Sequence, residues 1–123
     1  MKSRNPESFY RSLFDNTFDG LAYCQMIFDT QEQPVDWVYV EVNKNFEKLT
    51  GLKNAIGKKV SELIPGIKVS NPELFEIYGR VALTGKPERF EIYLELLEIW
   101  LEKNLIHKLD DQYLNISSFL QVK

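Results

Sequence analysis

The sequence predicts an α+β domain, a five-stranded antiparallel sheet with short helices and one longer helix packed on one face. Three observations predict it. Residues 21–42 alternate apolar and polar in two runs split by a polar turn. Residues 43–85 are punctuated by cap residues, glycines and prolines at helical spacing. From Glu88 the period returns to two.

The elements follow in order. Residues 5–17 read as a short helix with Asn5 as cap, Pro6 in the first turn and Glu7 near the positive end. Its apolar stripe is Leu13 and Phe14 with Phe9 or Tyr10. Asp19-Gly20 signals a turn. Residues 21–28 form a strand, with Tyr23 and Ile27 on one side and Cys24, Met26 and Phe28 on the other. After the polar turn 29–34, residues 35–42 form a second strand. Val38, Val40 and Val42 share one face, and Trp37, Tyr39 and Glu41 the other. Strands so close in sequence pair as an antiparallel hairpin.

Asn43 is then a good N-cap, able to accept from the free N–H groups of a helix's first turn. Phe46 and Leu49 share one face of that helix, and Gly51 suits its left-handed end. At about two turns it is too short to persist alone. Gly57 resets the chain, Val60, Leu63 and Ile64 give a second apolar face, and Pro65 stops it. Residues 66–70 are expected to form a loop. Asn71 caps the longer helix, Pro72 takes its first position, and Leu74, Ile77, Tyr78 and Val81 form its stripe. Gly85 and Pro87 end it. In the next strand Phe90, Ile92, Leu94 and Leu96 share one face, and Arg89, Glu91, Tyr93 and Glu95 the other. Residues 99–109 and 113–122 read as strands around a tight turn at Asp110-Asp111-Gln112. A single helix over 94–108 is the alternative, because Leu, Glu and Lys favour helix there. Strands are preferred because a three-stranded sheet leaves one face bare.

With 123 residues the chain is expected to be a single domain, a flanking helix over 1–18 and a core over 19–123. It is 44% hydrophobic, enough for a real core. A net charge of −3 argues against a nucleic-acid partner. The one cysteine, Cys24, excludes an internal disulfide and a cysteine-based zinc site. No apolar run approaches the roughly 20 residues of a membrane span, and the N-terminus shows no signal-peptide core. The expectation is a cytoplasmic chain without direct membrane insertion.

The segment VNKNFEKLTGLKN, through Asn43, Phe46, Leu49, Thr50, Gly51 and Leu52, resembles the Asn-x-x-Phe-x-x-(Leu/Met)-Thr-Gly-(Leu/Tyr) segment of the PAS sensory domain. IGKKVSELIPG, through Ile56, Gly57, Val60, Glu62, Leu63, Ile64 and Pro65, resembles that family's following segment. SFYRSLFDNTFDGLAYCQMIFD is similar to the opening of the fold, and GKPERFEIYLE to the strand after its long helix. Motifs carry the resemblance over residues 9–97, and topology alone over 98–123. The resemblance implies a small cavity between the sheet and the helices of residues 43–83. Its lining would be Phe28, Val42, Phe46, Leu49, Leu63, Tyr78, Phe90 and Ile92, with Asn43 steadying the loop beside the ligand. The alternative is that all eight are plain core. The resemblance further implies a sensory input domain that regulates a linked effector, such as a histidine kinase of a two-component system.

Haem-binding members of that family use a histidine on the long helix, and residues 72–83 contain none, so iron would lack its proximal ligand. Members with flavin photochemistry place a reactive cysteine in the helix after the Asn motif. Cys24 stands instead on the first strand, where a buried thiol behaves as a small hydrophobe. An unknown small organic ligand, or none, remains the cofactor expectation. His107, the single histidine, reads as a surface residue on a strand, with a faint likeness of its run to a phosphoacceptor helix as the alternative. Glu41, Glu91 and Glu95 alternate outward as solvated charge, so no acid–base catalysis is expected. A cone-like α+β enzyme is the weakest reading. A second class of function is a ligand-free homodimerisation module, with Phe9, Tyr10, Leu13 and Phe14 packing against a twin or against the sheet's open face.

Overall fold

A computed structural model describes the backbone of residues 6–107 and 113–121 and the side chains of residues 11–98. Helix α1 (Pro6–Asn16) leads into the hairpin β1 (Gly20–Phe28) and β2 (Pro34–Val42). Four helices follow: α2 (Lys44–Thr50), α3 (Val60–Leu63), α4 (Ile67–Ser70) and α5 (Pro72–Thr84). Strands β3 (Glu88–Leu94), β4 (Ile99–His107) and β5 (Tyr113–Gln121) complete the order. All five strands join one sheet, ordered β2-β1-β5-β4-β3, with every neighbouring pair antiparallel. The alternative helix over 94–108 does not form, since β3 and β4 pair from Glu88↔Leu105 to Leu94↔Ile99. The turn expected at Asp110-Asp111-Gln112 and the Asn5 cap lie outside the described residues.

The β1–β2 hairpin corrects the expected division of faces. Cys24 pairs with Tyr39 and Tyr23 with Glu41, so Val40 is an extra residue in β2. A bulge of this kind shifts the side-chain alternation by one. Trp37 and Tyr39 therefore point to the helix-covered face, and beyond the bulge Val42 joins them opposite Ala22. Glu41 swings to the reverse face, where it pairs with Arg11 of α1. Strict alternation had grouped Val42 with Val38 and Val40. The aromatic pair, not Val38 and Val40, supplies most of β2's contribution to the core: Trp37 is 1% and Tyr39 4% exposed.

Helices α2 to α5 cover one face of the sheet. Helix α1 lies on the other, because Tyr23, between the core residues Ala22 and Cys24, points the opposite way and stacks on Phe14 with ring centroids 5.6 Å apart. The main core sits between sheet and helices. Trp37 stacks on Tyr78 at 4.1 Å and meets Phe75 at 4.8 Å, while Tyr39 meets Phe46 at 5.2 Å.

Residues 66–70, expected as a loop, turn once as α4. Gly66 at φ 88° allows the chain to reverse, and Ile67, 1% exposed, anchors the turn in the core. Asn71 holds the cap position of α5 but makes no side-chain cap. Its Nδ2 donates instead to the Tyr93 carbonyl of β3 at 2.9 Å. Leu96, expected on the inner face of β3, falls in the β3–β4 turn and is exposed. Helix α3 takes its cap from the sheet: Ser61 N donates to Asp36 Oδ1 of β2 at 3.2 Å.

Gly79 marks where α5 comes closest to the hairpin. A Cβ there would lie 2.8 Å from Pro34 Cγ and 2.9 Å from Pro34 Cβ, atoms of a ring that cannot swing aside. Gly→Ala inside a helix ordinarily stabilises by about 1 kcal/mol. Here overpacking, at about 1–3 kcal/mol, outweighs that gain. Gly79→Ala is expected to lower the urea midpoint, and Pro34→Ala in the same chain to restore part of it. A midpoint raised by Gly79→Ala alone would contradict this packing.

Candidate functional site

The region from β1 to α2 is knotted by one side chain. Asn43 is 2% exposed. Its Oδ1 accepts from Phe46 N and from Leu21 N, both at 2.9 Å. Its Nδ2 donates to the Phe14 carbonyl at 2.8 Å and to the Asp19 carbonyl at 3.0 Å. An asparagine amide has two donors and two acceptor positions, and all four are used. The expected N-cap is therefore present, and the same amide also ties α2 to the end of α1, the α1–β1 turn and the first residues of β1. Asn45 adds a parallel link, donating to the Thr17 carbonyl at 2.7 Å. Gly51 closes α2 in the left-handed conformation at φ 75°.

The nine residues expected around a cavity divide into three groups. Phe46, Tyr78 and Asn43 are fully buried. Phe28, Val42, Leu63, Phe90 and Ile92 are half-buried and pack against the edge of the core. Leu49 is half-buried and stands outside that cluster. The space below α5 holds the Trp37–Phe75–Tyr78 ring cluster. An open cleft of about 330 Å³ lies beside α2, lined by Val42, Glu47, Leu52, Asn54, Ala55 and Ile56. Of the nine, Val42 alone reaches it. A groove of similar size runs between α5 and the β1–β2 turn, along Pro34, Gly79 and Leu83.

Of the residues expected at a dimer contact, Phe14 is buried against Tyr23 and Leu13 is 57% exposed. The side chains of Phe9 and Tyr10 lie outside the described residues. Sequence reasoning missed Trp37, Tyr39 and Phe75 as the centre of the core, and Asn71 and Asp36 as ties between sheet and helices. Aromatic content was the available signal for Trp37 and Tyr39. The bulge that brings Val42 onto their face leaves no local mark.

Cofactor chemistry can be tested on the residues present. Cys24 is fully buried in β1 and no cysteine lies on α2, so thiol-adduct flavin chemistry does not fit. His107 belongs to β4, and α5 offers no imidazole to a haem iron. Among the described residues no group of His, Cys, Asp and Glu is placed to hold a metal ion, and no helix is long and apolar enough to cross a membrane. Ionisable groups with displaced proton affinity are structural. Arg80 grips Glu88 through two hydrogen bonds of 2.6 and 2.7 Å and holds its carboxyl below the usual range. That pair is exposed and adds little stability. Burial, assisted by Cys24, raises the Tyr39 hydroxyl far above its ordinary 10.0, and Trp37 acts in the opposite sense.

No protein-family model and no curated protein sequence matches the chain. Solved structures do. A domain of the sensory box sensor histidine kinase/response regulator from Geobacter sulfurreducens superposes with TM-score 0.54 at 18% identity, over 90% of this chain and 91% of that one. The PAS domain of a protein from Colwellia psychrerythraea gives 0.57 at 19% identity, over 95% and 98%. The Rhodobacter sphaeroides LOV protein gives 0.60 at 17% identity, over 95% and 69%. At such identities the likeness is one of fold, and the chain has the PAS fold.

Two expected outcomes test the site. Asn43→Asp keeps both acceptor contacts but sets a carboxylate against the carbonyls of Phe14 and Asp19. It is expected to speed amide exchange in α1 while the first turn of α2 stays protected, at a cost of about 1–3 kcal/mol. Equal loss of protection in both helices would contradict this division. For Tyr39, the folded hydroxyl keeps its proton where the unfolded one releases it, so stability present below pH 10.0 is lost above it. The expected slope is about 1.4 kcal/mol per pH unit. Tyr39→Phe should remove that share of the alkaline loss in denaturation curves taken on both sides of pH 10.0.

Proposed function

We propose that this PAS-fold chain is a non-catalytic sensory input domain that regulates a linked effector, such as a histidine kinase, in the cytoplasm. The observation that carries the reading is the Asn43 knot. It joins the helical cover, where a ligand would act, to α1, the flanking helix through which a shift could pass to another domain. The sensory-kinase origin of the Geobacter sulfurreducens domain supports the effector class.

In this proposal a small organic ligand inserts between the sheet and α2–α5, among Phe28, Val42, Phe46, Leu49, Leu63, Tyr78, Phe90 and Ile92. The half-buried members would move first, because they border the core rather than fill it. A ligand favouring one arrangement of α2 shifts the population, and Asn43 passes the change to α1. Screening of small apolar and amphipathic molecules by thermal shift is the test. A true ligand at one hundred times its Kd stabilises the fold by about 2.7 kcal/mol. It should also alter amide exchange in α1, and Asn43→Asp should abolish that second effect alone. A library without any stabilising molecule, together with native mass spectra free of retained small molecules, would remove the sensory reading.

A ligand-free homodimerisation module is the second reading, favoured by the exposure of Leu13 (57%) and Phe18 (95%) at the end of α1. Light scattering at micromolar concentration tests it. The dimer expected on this reading should dissociate in a Leu13→Glu, Phe18→Glu variant, and a monomeric parent chain would dismiss it.

A further inference from the structure

Charge is distributed unevenly over the helical cover. Residues 44–59 carry Lys44, Lys48, Lys53, Lys58 and Lys59 against the single carboxylate of Glu47, in a chain of net charge −3. All five lysines are exposed. The ion pairs among the described residues join Arg11 to Glu41 and Arg80 to Glu88, and engage none of the five. Lys44 and Lys48 stand one turn apart on α2, on the side away from buried Phe46. Lys53, Lys58 and Lys59 stand on the connection that follows.

The open cleft beside α2 lies within this basic segment. Its floor and walls include Val42, Leu52 and Ala55, and at its rim Ile56 is 57% exposed. The connection is fixed in place. Gly57 N donates to the Tyr39 carbonyl at 2.7 Å, and Tyr39 N donates to the Lys58 carbonyl at 3.0 Å. Lys58 N closes a turn onto the Ala55 carbonyl at 3.0 Å, and Gly57 takes φ 84° to allow it. A surface held by backbone hydrogen bonds loses little freedom when a partner docks.

We propose that the cleft between α2 and residues 52–56 is a docking site for an acidic segment of a partner protein that carries an apolar anchor. The anchor fills the space against Val42, Leu52, Ala55 and Ile56, and the flanking carboxylates meet the lysines. Charge complementarity selects an acidic occupant and steers its approach. Concavity selects a peptide over an anionic membrane, because a flat bilayer surface leaves a cleft of about 330 Å³ unused. Glu47 lines the same cleft and opposes an acidic occupant. The proposal stands whether or not the interior accepts a ligand.

The test is anisotropy titration of the full chain with a short labelled peptide of Asp and Glu around a central Leu-Phe pair. Binding is expected, weakening as salt is raised. Joint replacement Lys48→Glu, Lys53→Glu and Lys58→Glu should weaken it about tenfold, and Ile56→Asp alone about tenfold. Glu47→Gln should strengthen it about twofold, which a merely structural role for Glu47 would not produce. Lys86→Glu, in the connection between α5 and β3 and outside the cleft lining, should leave affinity unchanged. All these positions are exposed, so melting curves should stay close to the parent and serve as the folding control. The proposal is overturned if no peptide binding is detected. It is equally overturned if a Gly-Gly centre binds as well as Leu-Phe, or if phosphatidylserine vesicles bind while the peptide does not. Self-association abolished by the lysine replacements would assign the surface to a second copy and overturn it too.

Discussion

The arrangement depends on one buried amide. Asn43 sits where the end of α1, the start of β1 and the first turn of α2 converge, and it serves all of them at once. A buried polar group is costly unless every donor and acceptor is matched, and here the match is complete. An aspartate has no N–H to offer the two carbonyls, and an apolar residue would take a hydrogen bond from four backbone groups at once. Asparagine is thus required by the local inventory of donors and acceptors, beyond its general liking for helix caps. Asn71 repeats the device more modestly, tying the entry of α5 to β3. These two are the buried amide side chains among the described residues.

The short helices persist because the sheet supplies what their length cannot. Helix α3 borrows its cap from Asp36 of β2, and Ile67 pins α4 in the core. Strand β2 gains in return. It is an edge strand, and unpaired edges invite association. Residues 57–59 cover part of that edge through the Tyr39 hydrogen bonds and an antiparallel bridge from Val38 to Lys59. The aromatic cluster of Trp37, Phe75 and Tyr78 locks α5 onto the same strand. Gly79 lets the helix backbone come close enough for those rings to stack.

The element order was legible because each boundary carries its own chemistry. Asn43 and Gly51 bracket α2, Pro72 and Gly85 bracket α5, and the period of two marks the strands on either side. The last two strands were legible only by elimination, since their Leu, Glu and Lys content favours helix. Pairing with β3 and β1 overrides that propensity. The candidate site was legible in part. Phe46 and Tyr78, expected around a cavity, are buried in the core, and the phase of β2 beyond Tyr39 was hidden by an unmarked bulge at Val40. The lysines of residues 44–59 lie together in the sequence, but only the fold forms a cleft along that segment.

By itself the sequence determined the strands and every helix except α4, that they make an antiparallel α+β domain, and that Asn43 begins α2. These follow from periodicity and caps, which act over a few residues. The tertiary structure alone decided the strand order β2-β1-β5-β4-β3, the face on which α1 lies, the phase reversal in β2 and the four-way use of Asn43. Those depend on contacts between residues far apart in the chain, whose energies no local pattern records.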